Sequence, residues 1–260
     1  MNLDPNNIKI HMILIVLAGF VSIPIVIMLY ASFRNGGIQN YLTPLTHPFF
    51  VRGFLNSTII AVPTVILVIF IASLTGFALS KLSLIGSEII FPVFLVALML
   101  PVSAIIIQLF LMMIKLNLLN NHLGVILPVV SLTMPFGLLV IKNYMDDIPN
   151  DIVEASVIDG CSHFTIYWRI VLPLSLPALS AVTIFSFLNA WNEYLLPLVA
   201  LRSTELLPVT RLTSFFINQF TRNYHMFFAS SVIIILPVVV VYIFLQRYFI
   251  RGLTAGALKA

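Results

Sequence analysis

The sequence predicts an all-α, polytopic membrane protein with six transmembrane helices. Three observations carry this reading. Hydrophobic residues make up 60% of the 260 positions and charged residues only 8%, against about 25% charged in soluble domains. Mean hydropathy is +1.11, and the apolar residues gather into six runs near the ~20 residues that cross a bilayer. Five of the nine carboxylates (Asp146, Asp147, Asp151, Glu154 and Asp159) crowd into one interval, which hydrocarbon cannot accommodate and which must therefore face water.

The runs follow in order. Residues 12–31 carry no charge and form the first span. Lys9 precedes it, but the run exceeds a signal-peptide core and shows no small-residue cleavage site, so it reads as an uncleaved anchor. Residues 34–56 are polar and turn-rich (Gly36, Gly37, Pro44, Pro48) and read as an external loop. The second span is expected at 58–80, the third at 89–113, the fourth at 123–141, the fifth at 176–200 and the sixth at 226–245. Residues 201–224 read as a polar loop. Nine of the fifteen prolines fall inside these spans, where each removes a backbone donor and tends to kink its helix. Bundles that move tolerate such breaks, although proline is also commoner in membrane helices generally.

The acid-rich interval has its own helical pattern. Pro149 is a helix-start signal, and Asn150 or Asp151 is a candidate cap with Glu154 behind it. Ile152, Ala155, Val157 and Ile158 are the apolar members. Gly160 is placed to end the helix. A second helix is expected from 162 to 171, stopping before Pro173. An ordinary solvated loop is the bland alternative.

Glu154-Ala155-Ser156, three residues, Gly160, nine residues, then Ile170-Val171-Leu172-Pro173 resembles the signature loop of ABC importer permeases: E-A-A, three residues, G, nine residues, I-x-L-P. Every spacing matches, and Ser156 is the one departure, a small residue for alanine. The resemblance implies that this loop, about residues 143–175, is a cytoplasmic coupling loop docking into an ATP-hydrolysing subunit. It assigns the contact to Glu154, Ala155, Ser156, Asp159, Gly160 and Cys161. Residues 191–198 (W-N-E-Y-L-L-P-L) and 245–259 (L-Q-R-Y-F-I-R-G-L-T-A-G-A-L-K) look like the matching segments of six-span, maltose-type carbohydrate permeases. On this likeness residues 1–53 are an N-terminal span with an external loop and 54–260 the permease core. The tail implies a further contact with the ATPase subunits.

The resemblance also implies the company the chain keeps: a second, homologous permease subunit, two ATPase subunits, an external solute-binding protein and a carbohydrate substrate. It places the protein in the bacterial cytoplasmic (inner) membrane with both termini cytoplasmic. Charge alone does not orient it. The termini side would hold seven Lys or Arg (Lys9, Lys81, Lys142, Arg169, Arg247, Arg251, Lys259) and the other side six (Arg34, Arg52, Lys115, Arg202, Arg211, Arg222). None of the five lysines sits in a phosphate-binding G-x-x-x-x-G-K-[ST] context. The chain is thus expected not to be an enzyme, and ATP and Mg are expected on the partner ATPases. No metal-ligand spacing appears among the five histidines, the single Cys161 excludes an internal disulfide, and a net charge of +4 without a basic run gives no sign of nucleic acid. A glycerol phosphate or polyol permease of the same family is the nearer alternative. An ion-coupled secondary carrier is the more distant one, since it would want intramembrane carboxylates and inverted repeats.

In the fifth span Thr183, Ser186, Asn189 and Glu193 fall within an arc of roughly 120° at about 100° per residue, with Asn192 near its edge. Asn189, Trp191, Asn192 and Glu193 are therefore candidates for the translocation path. Glu193 would bond sugar hydroxyls near the external end, and Trp191 would stack on a pyranose or anchor at the interface. The competing expectation is that Asn189 and Glu193 hold the helix against the partner permease.

Overall fold

A computed structural model of the chain describes residues 5–82, 84–212 and 223–257, with side chains described at 9–82, 84–212 and 223–247. All regular structure among them is helical: α1 (Pro5–Phe33), α2 (Gln39–Thr46), α3 (Pro48–Lys81), α4 (Ser87–Ala97), α5 (Val102–Lys115), α6 (Leu123–Asp146), α7 (Asn150–Ile158), α8 (His163–Ile166), α9 (Leu172–Leu174), α10 (Leu176–Asn192), α11 (Leu195–Ala200), α12 (Val209–Leu212) and α13 (Tyr224–Ala257). Among the described residues four helices are long and apolar enough to cross a membrane, and two bent pairs, each counted as one span, raise the number to six. The expected tail, 245–259, continues α13 as backbone to Ala257. Its side chains beyond Arg247, and with them its expected contact, lie outside the described residues, as does 213–222 of the expected polar loop.

The chain forms two compact units, Met1–Val51 with Leu212–Leu236 and Arg52–Arg211 with Pro237–Ala260. In the first, the expected external loop at 34–56 is largely helical, a correction to the sequence reading. Asn35 and Gly37 take left-handed φ (58° and 56°) and turn the chain from α1 into α2. Asn40 is buried and donates from Nδ2 to the Ser32 and Arg34 carbonyls, at 2.9 and 3.0 Å. Such donation satisfies the carbonyls left open at the end of a helix. His225 donates from Nδ1 to the Ala31 carbonyl (2.8 Å) and accepts at Nε2 from Asn35 (3.2 Å). This pins the start of α13 to the end of α1 within that unit.

The second unit is built around α6, whose membrane-length window is 67% buried, the highest of the four long helices. α6 makes its most extensive contact with α10. At Gly137 a Cβ would lie 3.2 Å from Val68 Cγ1 and from Val182 Cγ1, and 3.3 Å from Ala72 Cβ. At Gly76 it would lie 3.3 Å from Ile141 Cγ2 and 3.4 Å from the Lys142 backbone nitrogen. Ala72 and Gly76 are four apart on α3, so small residues bring α3 and α6 together. Close backbone approach of this kind drives packing in lipid, where hydrophobic burial gives no advantage.

Two expected spans are broken, and proline explains both. The third, expected to be continuous, is α4 and α5, bent by 101° across Leu98–Pro101. Pro101 has no N–H to continue the ladder and disfavours helical geometry in the residue before it. The fifth ends at Asn192, and Glu193 is extended (φ −60°, ψ 129°). Pro197 lies four residues on, where its missing N–H and its ring both exclude a helical bond to the Glu193 carbonyl. Thr210 Oγ1 takes that carbonyl instead, at 3.1 Å, and a Glu193 carboxylate oxygen accepts from Leu196 N at 3.0 Å, capping α11. Nor does the helix stop before Pro173 as expected. From His163 it passes through a π-helical turn, Tyr167–Val171, into α9 and bends 76° into α10.

Candidate functional site

α7 and α8 form the body of the loop. The expected side-chain cap is absent: Pro149 occupies the N-cap position of α7 and neither Asn150 nor Asp151 caps it. Asn150 faces another task. Lys81, the last residue of α3, donates from Nζ to the Ile148 carbonyl (2.6 Å) and to Asn150 Oδ1 (2.9 Å). The start of α7 is therefore tied to the end of α3.

The other end of α7 closes as the sequence indicates. Gly160 has φ +81°. Cys161 N bonds the Ser156 carbonyl and Gly160 N the Val157 carbonyl, both at 3.0 Å. These are the two bonds of a Schellman motif, with Gly160 in the left-handed position that L side chains avoid. Ser162 then caps α8, accepting from Thr165 N at 3.3 Å. Val153 and Ser156 turn inward, while Asp151, Glu154, Ala155 and Asp159 stay exposed and Cys161 is half-buried. Ile158 is 86% exposed and Phe164 68%. The result is a knob with an acidic rim and an apolar tip. These exposed apolar side chains stand beside carboxylates, which hydrocarbon does not accommodate.

Behind the knob, the π-helical turn buries Tyr167. Its hydroxyl meets Ser73 Oγ of α3 at 2.7 Å and its ring lies 5.4 Å from that of Phe77. The loop is thus fastened to α3 twice, at Lys81 on its way out and at Ser73 on its way back. Lys142 bonds Asp146 at 2.6 Å and covers the Phe91 ring, 4.7 Å from its centroid.

The candidates of the fifth span meet varied surroundings. Ser186 is buried, while Thr183 bonds back to the Leu179 carbonyl at 2.7 Å. Asn189 and Asn192 are exposed on α10, and Glu193 caps α11 from a half-buried position. The stripe thus straddles the border between core and surface. Trp191 is 3% exposed, stacked on Phe187 (5.4 Å, 19°) and tilted against Phe54 (5.9 Å). The sugar-stacking or interfacial position expected for it is not the one observed, because aromatic neighbours within the chain take up the indole.

A second polar cluster, which sequence reading missed, lies at the far end of α6 from the knob, about 36 Å away along a helix of 24 residues. Here residues 200–209 are held by side chains from distant elements. Asn120, itself left-handed (φ 55°), accepts at Oδ1 from Arg202 N and Ser203 N, at 3.1 and 2.9 Å. His122 Nε2 meets the Leu206 carbonyl at 3.1 Å. Asn56 donates to the Glu205 and Leu207 carbonyls (2.8 and 3.0 Å), and Ser57 Oγ accepts from Val209 N (3.0 Å).

The chain is thus a polytopic helical protein with a short-helix knob between two of its candidate spans. The family model described as "Binding-protein-dependent transport system inner membrane component" matches residues 50–255. The chain belongs to this family and is a membrane-spanning permease subunit of an ABC importer. It is similar to the arabinooligosaccharides transport system permease protein AraQ of Bacillus subtilis (strain 168). The two are 35% identical over 210 residues, covering 81% of this chain and 74% of that one. It is also similar to the osmoprotective compounds uptake permease protein GgtD of Synechocystis sp., with 32% identity over 86% of this chain and 75% of the relative. A solved chain from a bacterial ABC transporter involved in the import of the acidic polysaccharide alginate shares the fold. Its TM-score is 0.78 at 22% identity, over 96% of this chain and 99% of that one.

Proposed function

We propose that the chain imports an oligosaccharide or related carbohydrate, working with a second permease, two ATPase subunits that hold ATP and Mg, and an external solute-binding protein. Residues 1–53 form the N-terminal anchor segment and 54–260 the permease core. The observation that carries the coupling role is the exposed knob from Glu154 to Cys161, closed at Gly160 and fastened to α3. Its apolar tip fills a hydrophobic recess on an ATPase subunit, and its carboxylates meet basic groups there, where partial desolvation strengthens charged hydrogen bonds. The knob is cytoplasmic, as are both termini. The name of AraQ favours arabino-oligosaccharides, and that of GgtD keeps an osmoprotective compound as the second reading. Counterflow or uptake assays with arabino-oligosaccharides, malto-oligosaccharides and glycerol-based solutes separate the two. Uptake of none of them would overturn the carbohydrate assignment.

Cys161 is the only cysteine, and it is half-buried beside Gly160. A membrane-impermeant maleimide should leave it unlabelled in intact cells and label it in inside-out vesicles stripped of ATPase subunits. Ready labelling from outside would reverse the orientation.

Glu193→Gln separates the two roles open to Glu193. The glutamine oxygen still accepts from Leu196 N, so assembly should be retained. A changed preference among saccharides then places Glu193 on the translocation path together with Asn189, whose alanine variant should shift preference the same way. Unchanged preference for both variants removes them from the path.

A further inference from the structure

Helix α3 carries side-chain ties at both of its ends, and to different things. Near its C-terminus, Ser73 and Lys81 are two turns apart, about 12 Å. Ser73 holds Tyr167 on the returning arm of the loop, and Lys81 holds Ile148 and Asn150 on the outgoing arm. Near its N-terminus, the adjacent Asn56 and Ser57, both buried, hold the backbone of residues 205–209 through three hydrogen bonds. From Asn56 to Lys81 is about 37 Å along one helix. Between the ties α3 runs as one continuous helix through Pro63, and Ala72 and Gly76 hold its C-terminal half against α6. Every tie ends on main chain or on a buried hydroxyl, apart from the Asn150 amide. Main-chain partners of this kind report the position of a whole segment rather than of one rotamer.

We propose that Lys81 and Asn56 are positioning residues that make α3 a rod, carrying displacement of the knob to the 205–209 segment at the opposite end of α3, and back. This rests on the coupling reading of the knob. A rod fastened at both ends transmits in both directions, since coupling between two sites is reciprocal. Solute-loaded binding protein at one face then reaches the ATPases at the other through this helix.

The test uses the complete importer in proteoliposomes, with its binding protein purified together with its solute, and reads ATP hydrolysis with and without that protein. Lys81→Met and Asn56→Ala should each leave basal hydrolysis of the assembled complex in place while lowering its stimulation by binding protein about tenfold, within the range of allosteric couplings. Lys81→Arg should restore most of the stimulation. The double variant should be no worse than either single one, because both cuts fall on the same rod. Thr58→Ala, on the exposed face of α3 with its hydroxyl bonded only to the Phe54 carbonyl, should behave as wild type. Where Lys81→Met fails to assemble, Tyr167→Phe and Ser57→Ala remove one tie at each end with little change in volume. Full stimulation in assembled variants at either end overturns the proposal, as does multiplication of the two effects in the double variant. Glu154→Lys, measured alongside, keeps the two ideas apart. If it loses stimulation while the α3 variants keep it, only the rod falls. If it too keeps stimulation, the coupling reading falls.

Discussion

Gly160→Val should leave the chain inserted and assembled yet reduce transport per ATP by roughly 5–150-fold. The residue holds φ at +81°, which a β-branched side chain resists at a cost of about 1–3 kcal/mol. No atom lies within 4 Å of where its Cβ would stand, so crowding inside the chain adds nothing. The strain falls on the two hydrogen bonds that close α7, from Cys161 N and Gly160 N, and relaxes by opening the corner. The angle between α7 and α8, and with it the shape of the knob, is what changes. A loss of 1–3 kcal/mol in coupling corresponds to roughly 5–150-fold. Gly160→Asn is the informative companion, because asparagine tolerates the left-handed region, and it should keep most of the activity. Glu154→Lys should uncouple by another route, reversing a charge on the exposed rim without touching the backbone. Uptake and ATP hydrolysis measured on one preparation check all three. Full coupling in both Gly160→Val and Glu154→Lys would sink the docking role of this loop.

Gly137→Leu should act before transport begins, by preventing the bundle from packing. Its Cβ alone would press on Val68, Val182 and Ala72 at 3.2–3.3 Å, and these belong to α3 and α10, so three helices must part. Overpacking of a tight core costs about 1–3 kcal/mol, and in lipid no gain in hydrophobic burial offsets it. We expect a several-fold drop in membrane-inserted protein, and a lower melting temperature in detergent for what remains, with Gly137→Ala intermediate. Gly19→Leu is the control, since nothing lies within 4 Å of that position in α1. Equal levels and melting temperatures for Gly137→Leu and Gly19→Leu would show that this crossing tolerates separation.

The parts legible in the sequence were those whose causes are local. Hydropathy places the spans because a membrane helix needs only its own length of apolar residues. Gly160 was legible because a helix end and its glycine are neighbours in the chain. What escaped was set by partners far away. Asn56 and Ser57 read as ordinary polar residues before a span, yet their partners stand about 150 positions on, at 205–209. Gly76 and Gly137 carry no signal until the opposing helix is known. Trp191 was drawn toward a ligand by its motif, but Phe54 and Phe187 reach it first. The cap expected at Asn150 or Asp151 is absent because Pro149 takes the N-cap position, and Asn150 Oδ1 accepts instead from Lys81, 69 positions away. The breaks at Pro101 and Pro197 are intermediate cases. The prolines were visible, but whether each bends its helix or ends it depends on who takes the freed carbonyl, and at Glu193 that is Thr210.

The wide turn at Tyr167–Val171 gives the loop a property that none of its side chains has. A π-helical turn is an α-helix with one residue inserted, and one residue is about 100° of rotation. Everything before the turn is therefore out of phase with everything after it by that angle. A helical wheel drawn from His163 into α10 mislabels one side or the other, however carefully it is drawn.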